Sequence, residues 1–137
     1  MDLVYTLNDI DKAAALCWAA AGGRRVLALH GAMGSGKTTL THALCSLKGV
    51  TEAVSSPTFA LTNEYRAGDG QFIVHMDWYR LKDEEEAIRA GMEEYLYSGK
   101  ICLVEWPDRA PGILPEETLH LHLAVIDRDA RRLRTMG

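Results

Sequence analysis

Disulfides, rigid turns and broad aromatic surfaces have little to build on in this chain, whose 137 residues include 3 cysteines, 4 prolines and 2 phenylalanines. Cys17, Cys45 and Cys102 lie far apart, each in an apolar segment and without C-x-x-C spacing. That pattern excludes a disulfide framework or a zinc knuckle and reads as buried reduced thiols. No apolar run approaches the roughly 18 residues that span a bilayer. The start, Met1 to Thr6, lacks the basic and apolar regions of a secretory signal, so the expectation is a cytoplasmic protein that does not engage a membrane. A formal net charge of −4 argues against strong non-specific binding to a phosphate backbone by this chain alone. Arg128, Arg131, Arg132 and Arg134 alternate with Asp127 and Asp129 and read mostly as a solvated edge. The length sets a single domain over residues 1–137, with no room for a separate substrate lobe or lid.

Against these absences stands one complete device. Gly31 to Thr38 read G-A-M-G-S-G-K-T, a phosphate loop placed directly after the apolar run Val26-Leu27-Ala28-Leu29. The glycines let backbone N–H groups turn inward on a β-phosphate, Lys37 brings a point charge to the β and γ oxygens, and Thr38 brings a hydroxyl for Mg²⁺. The helix that begins after the loop offers its positive end to the anion. The nucleotide-contacting stretch is Gly31, Met33, Gly34, Ser35, Gly36, Lys37, Thr38 and Thr39. Neither the guanine-reading N-K-x-D nor the D-x-x-G switch occurs, so ATP is expected rather than GTP.

The rest of the chain alternates helix and strand patterns. Val4 to Thr6 reads as a short strand, Asn8 as the N-cap of a helix running to Ala21, and Leu7, Ile10, Ala14, Cys17 and Trp18 as its apolar stripe. Arg25 to Leu29 is an unalternated apolar strand of the kind buried on both faces of a parallel sheet. Ala60 to Tyr65 and Phe72 to Met76 flank the turn Ala67-Gly68-Asp69-Gly70 as a hairpin. Asp83-Glu84-Glu85-Glu86 opens a helix as a charge-complemented N-terminus, and a second short helix covers Met92 to Tyr97. Ile101 to Val104 is a further buried strand, Pro111 to Pro115 an irregular connection, and Thr118 to Ile126 a strand paired with Arg132 to Met136. His120 and His122 share one face of that strand, and without a third ligand nearby they read as ordinary strand residues.

Hydrolysis or transfer of a phosphoryl group needs an acid near Mg²⁺ and a group that senses the γ-phosphate. Two apolar strands end in an acid, at Asp77 and at Glu105, and either fits the carboxylate role because strand ends converge on the ligand in an open α/β sheet. Ser56-Pro57-Thr58 has the makings of a switch segment, and Trp78 and Trp106 follow the two acids. A phosphotransferase acting on a small metabolite and a non-hydrolysing ATP-dependent docking subunit remain open at this level.

The ordered set of motifs resembles the TsaE (YjeE) family from about Tyr5 to Leu133. It comprises the phosphate loop with Thr39, S-P-T-F at Ser56 to Phe59, N-E-Y at Asn63 to Tyr65, H-x-D-x-Y-R-L at His75 to Leu81, G-x-E-E-Y at Gly91 to Tyr95, and L-V-E-W-P at Leu103 to Pro107. The resemblance implies a P-loop NTPase-like three-layer α/β sandwich, with a mainly parallel central sheet and antiparallel additions. It implies a weak ATPase in which Thr38 and Glu105 hold Mg²⁺, Asp77 and Lys37 serve hydrolysis, and Thr6 and Arg131 lie near the adenine. Ser56, Thr58, His75, Tyr79, Arg80 and Trp106 would belong to switch segments. The implied partners are the threonylcarbamoyl transferase subunit TsaD and its paralogue TsaB, with tRNA reached through that complex. ATP hydrolysis would reset the assembly during threonylcarbamoyladenosine formation beside the anticodon of tRNAs reading codons that start with A.

Overall fold

The run Val26 to Leu29 has no polar side to offer water, and in the computed structural model, which describes residues 1–55, 57 and 61–135, it lies at the middle of a seven-stranded sheet. The strands are β1 (Asp2–Thr6), β2 (Val26–His30), β3 (Thr62–Arg66), β4 (Phe72–Asp77), β5 (Ile101–Glu105), β6 (Leu119–Val125) and β7 (Ala130–Thr135). Their order is β1-β7-β6-β2-β5-β4-β3. The four central strands β6, β2, β5 and β4 run parallel, and β3, β7 and β1 add antiparallel edges.

Among the described residues, four α-helices cover this sheet: α1 (Ile10–Ala21), α2 (Lys37–Leu47), α3 (Glu84–Arg89) and α4 (Met92–Leu96). Alternation along the strands divides the core in two. Leu27, Leu29, Leu103 and Leu121 face α1 and α2 and pack with Ala14, Cys17, Leu40 and Leu44. Val26, Val74, Met76, Cys102 and Val104 face the other way, against Ala87 of α3 and Met92 and Leu96 of α4. Because consecutive strand residues point to opposite faces, a stretch buried on both sides must be apolar throughout, as β2 is from Val26 to Leu29. The result is the three-layer α/β architecture expected, with a parallel centre and antiparallel edges.

Local details differ from the expectation where short-range signals compete. Asn8 is not a helix cap: Leu7–Asp9 form a 3-10 turn, and α1 begins at Ile10. Leu7, placed on the buried stripe by its spacing, is 65% exposed because that turn rotates it out of the helical register. β1 starts earlier and β7 earlier than read, since the two termini pair with each other over Asp2↔Arg134 to Thr6↔Ala130, a partnership between segments far apart in sequence. The hairpin turn is as expected, with the Ala67 N–H donating to the Gln71 carbonyl at 2.8 Å. Asp83 caps α3 by accepting from the Glu86 N–H at 2.9 Å, and Glu84 reaches the Gly112 N–H, so the acidic group serves the helix start and its neighbour.

Candidate functional site

Parallel pairing brings the carboxyl ends of β2, β4 and β5 to one edge, where the phosphate loop and both strand-end acids meet. β2 delivers Gly31, and α2 starts at Lys37 with Gly36 as its left-handed cap (φ 98°). Between them lies a cleft of about 390 Å³ lined by Met33, Gly34, Gly36, Lys37, Thr38, Thr39, Asp77, Tyr79, Glu105, Trp106 and Arg131. Asp77 and Glu105 sit side by side in register on β4 and β5, so the two strand-end acids are neighbours in one place.

The Thr38 hydroxyl donates to Glu105, 3.0 Å from Oε1 and 3.2 Å from Oε2. The same carboxylate meets His75, whose Nε2 lies 2.6 Å from Oε2. His75 is fully buried and Glu105 only 2% exposed, so both are fixed parts of the sheet edge, whereas Tyr79 and Arg80 stand in the open. Asp77 Oδ1 accepts the Tyr79 N–H at 3.0 Å, which fixes the carboxylate at the strand end. Arg80 borders a smaller recess of about 180 Å³ with Pro57, Leu61, Asp77 and Tyr79. Ser56 and Thr58 lie outside the described residues.

Lys37 is only 6% exposed; its Nζ donates to the Gly31 carbonyl and sits 3.6 Å from the centre of the Trp106 ring. Burial holds this ammonium below the ordinary lysine range, opposed by the charges of Glu105, Asp77 and Asp108. Trp106 adopts a left-handed conformation (φ 57°, ψ 50°), rare for a bulky side chain, which turns the indole over Lys37 and against Tyr79, 4.9 Å away. Ser35 is 1% exposed, and its hydroxyl has no partner among the described residues.

A second recess of about 230 Å³ adjoins the first, sharing Gly36, Thr39 and Arg131 with it. Its remaining walls are Tyr5, Leu7, Ile10, Arg128 and Asp129. Thr6 sits between two of these residues on β1 without lining the recess itself. Arg131 is held by carbonyls, donating through Nη1 to Asp127 at 2.8 Å and to Ala130 at 3.0 Å. Sequence reading missed Ile10 here because its spacing suits a core stripe equally well, and Tyr5 because it reads as one residue of a short strand.

It also missed His30, the last residue of β2. In register with His122 on β6, its ring stacks on that imidazole at 4.4 Å and lies 2.8 Å from His120 between Nε2 and Nδ1. Burial, joined by His122 and His120, lowers the His30 pKa to about 4. Even with this third ring, no group of three or more His, Cys, Asp or Glu among the described residues is arranged to hold a metal ion. No helix among them is long and apolar enough to cross a membrane.

Comparison with known proteins gives the family. The family model described as threonylcarbamoyl adenosine biosynthesis protein TsaE matches residues 4–133. A tRNA threonylcarbamoyladenosine biosynthesis protein TsaE from Haemophilus influenzae is 41% identical over 109 residues, covering 80% of this chain and 68% of that protein. The Bacillus subtilis protein of the same name is 39% identical over 109 residues, 79% of this chain and 66% of its own length. The crystal structure of YdiB from Bacillus subtilis superposes with a TM-score of 0.74 at 30% identity, covering 98% of this chain and 84% of that one. With the family model spanning nearly the whole chain and both parallel core and phosphate loop in place, the chain belongs to the TsaE family.

Proposed function

We propose that this protein binds Mg·ATP in the larger cleft and hydrolyses it slowly in support of threonylcarbamoyladenosine formation in tRNA, acting on a TsaD–TsaB complex. The observation that carries the reading is the convergence of Lys37, Thr38, Asp77 and Glu105 on one cleft at the carboxyl ends of three parallel strands. The donor set fits Mg²⁺, since a hydroxyl and a carboxylate 3.0 Å apart are hard oxygen ligands of the kind this cation takes together with phosphate oxygens. When bound, the cation would neutralise charge building on the β and γ oxygens.

The chain's own residues divide the remaining work. Loop amides and Lys37 hold the β and γ phosphates, and a triphosphate draws the ammonium away from the Gly31 carbonyl and the indole. Asp77, oriented by the Tyr79 N–H, positions the attacking water and takes its proton as the bond to the γ-phosphorus forms and ADP leaves. The second recess, apolar on the Tyr5, Leu7 and Ile10 side, receives the base, with Arg131 spanning base and phosphate ends. Tyr79, Arg80 and Trp106 report the state of the γ-phosphate to the partner surface.

The test is multiple-turnover ATPase of the purified chain, alone and with TsaD, TsaB and tRNA. Stimulation by the assembled partners supports the reading. Stimulation by one small metabolite without partners points instead to a phosphotransferase. In cells, loss of tRNA modification in Asp77→Ala with ATP binding retained separates turnover from docking alone.

A further inference from the structure

The contact between His75 and Glu105 has a chemical direction. An ionised carboxylate only accepts hydrogen bonds, so a 2.6 Å approach of Nε2 to Oε2 places the ring proton on Nε2. The opposite assignment, a protonated carboxyl donating to a bare Nε2, would leave the proton on Nδ1. That atom is buried with no partner among the described residues, and a buried donor without an acceptor is the costlier arrangement. His75 is wholly enclosed, flanked in register by Asn63 on β3 and Leu103 on β5, so the ring has no room to swing aside.

We propose that His75 caps Oε2 of Glu105 and thereby makes this carboxylate a one-oxygen ligand, setting the cation preference of the site toward Mg²⁺ and against Ca²⁺. The proposal rests on the Mg·ATP reading above and adds a residue that touches neither nucleotide nor cation. With Oε2 held by the ring, Oε1 is the less engaged oxygen and the one the Thr38 hydroxyl approaches more closely, at 3.0 Å against 3.2 Å. Mg²⁺ is small, octahedral and content with single carboxylate oxygens, whereas Ca²⁺ gathers six to eight oxygens and commonly takes both from one carboxylate. A hydrogen bond that takes one lone pair of the second oxygen therefore weakens it as a ligand, a loss that Ca²⁺ feels more than Mg²⁺. His75 is a positioning residue, acting through Glu105 as outer partners of metal ligands do.

Two measurements on the full chain test this. Nitrogen NMR of the His75 ring reads the tautomer without nucleotide: a protonated Nε2 is expected, and a bare Nε2 with the proton on Nδ1 overturns the cap. Calorimetric titration of ATP in MgCl₂ and in CaCl₂ reads the preference. In His75→Leu, which removes the donor and keeps the strand apolar, affinity with Mg²⁺ falls about tenfold or more while affinity with Ca²⁺ falls less than about threefold. His75→Gln, whose amide presents a donor near the Nε2 position, keeps the parent's ratio. Equal losses with the two cations, or a shifted ratio in His75→Gln, overturn the proposal; if His75→Leu fails to fold, the ring NMR and the glutamine variant decide it. Absence of ATP uptake by the parent with either cation overturns the nucleotide reading and the cation preference together, a result distinct from uptake without preference.

Discussion

Two glycines of the phosphate loop make different demands on the chain, and substituting each by alanine separates them. At Gly36, φ is 98° and an added Cβ has only Arg131 Nε nearby, at 3.8 Å, so space is ample and the cost is conformational. Left-handed backbone costs a non-glycine residue roughly 1–2 kcal/mol, and the stiffer unfolded chain returns about 0.4–1 kcal/mol, leaving a loss of about 1 kcal/mol. At Gly31, φ is 158° and the added carbon meets Ser35 Oγ and lies 2.9 Å from the Leu123 carbonyl oxygen, so a steric clash adds to a backbone cost. That carbonyl belongs to β6, where Leu123 pairs in register with Leu133, so it cannot retreat without moving the sheet. Forced overpacking of this kind costs typically 1–3 kcal/mol, and the rigid backbone neighbour puts Gly31→Ala near the top, at about 3 kcal/mol. With a urea slope of about 2 kcal/mol per molar, the unfolding midpoint drops by about 0.5 M in Gly36→Ala and about 1.5 M in Gly31→Ala. Ser35→Ala removes the nearest atom and recovers only part of the Gly31→Ala loss. A midpoint for Gly36→Ala at or below that of Gly31→Ala, or full recovery by Ser35→Ala, refutes the argument that the Leu123 backbone closes this corner.

The histidine stack predicts a pH window for stability. His30 takes up a proton near pH 4 in the fold but near its ordinary 6.5 when unfolded, so the unfolded chain binds more protons in between and stability declines as pH falls from 6.5 toward 4. Thermal midpoints across that range should fall more steeply in the parent than in His30→Gln; parallel curves contradict the assignment. Burial raises the thiols of Cys17, Cys45 and Cys102 to about 12, so a thiol reagent at pH 8 should label none in the native protein and all three after denaturation. Rapid labelling of the native chain counts against that packing.

The phosphate loop was legible because its chemistry is local: glycines, a lysine and a threonine at fixed spacing between an apolar strand and a helix leave few alternatives. Asp77 and Glu105 were each recognisable as acids at strand ends, but their adjacency was not. Parallel neighbours are set by long-range packing, and nothing near either residue says that β4 and β5 pair. The same limit hid the His75–Glu105 contact and the histidine stack, both formed between strands distant in sequence. At the amino terminus the failure was local. Asn8 after a short strand is a good cap signal, yet the pairing of β1 with β7 leaves the chain to turn through Leu7–Asp9 before α1 can start. The exposed Leu7 beside Tyr5 and Ile10 follows from that turn, and with it the second recess.

Calorimetric titration of the parent and of Lys37→Ala with ATP in excess Mg²⁺ tests most directly whether the loop between β2 and α2 holds a triphosphate. The account predicts uptake of one nucleotide per chain by the parent and its loss in Lys37→Ala with the fold intact. No uptake by the parent, or equal uptake by both, contradicts it.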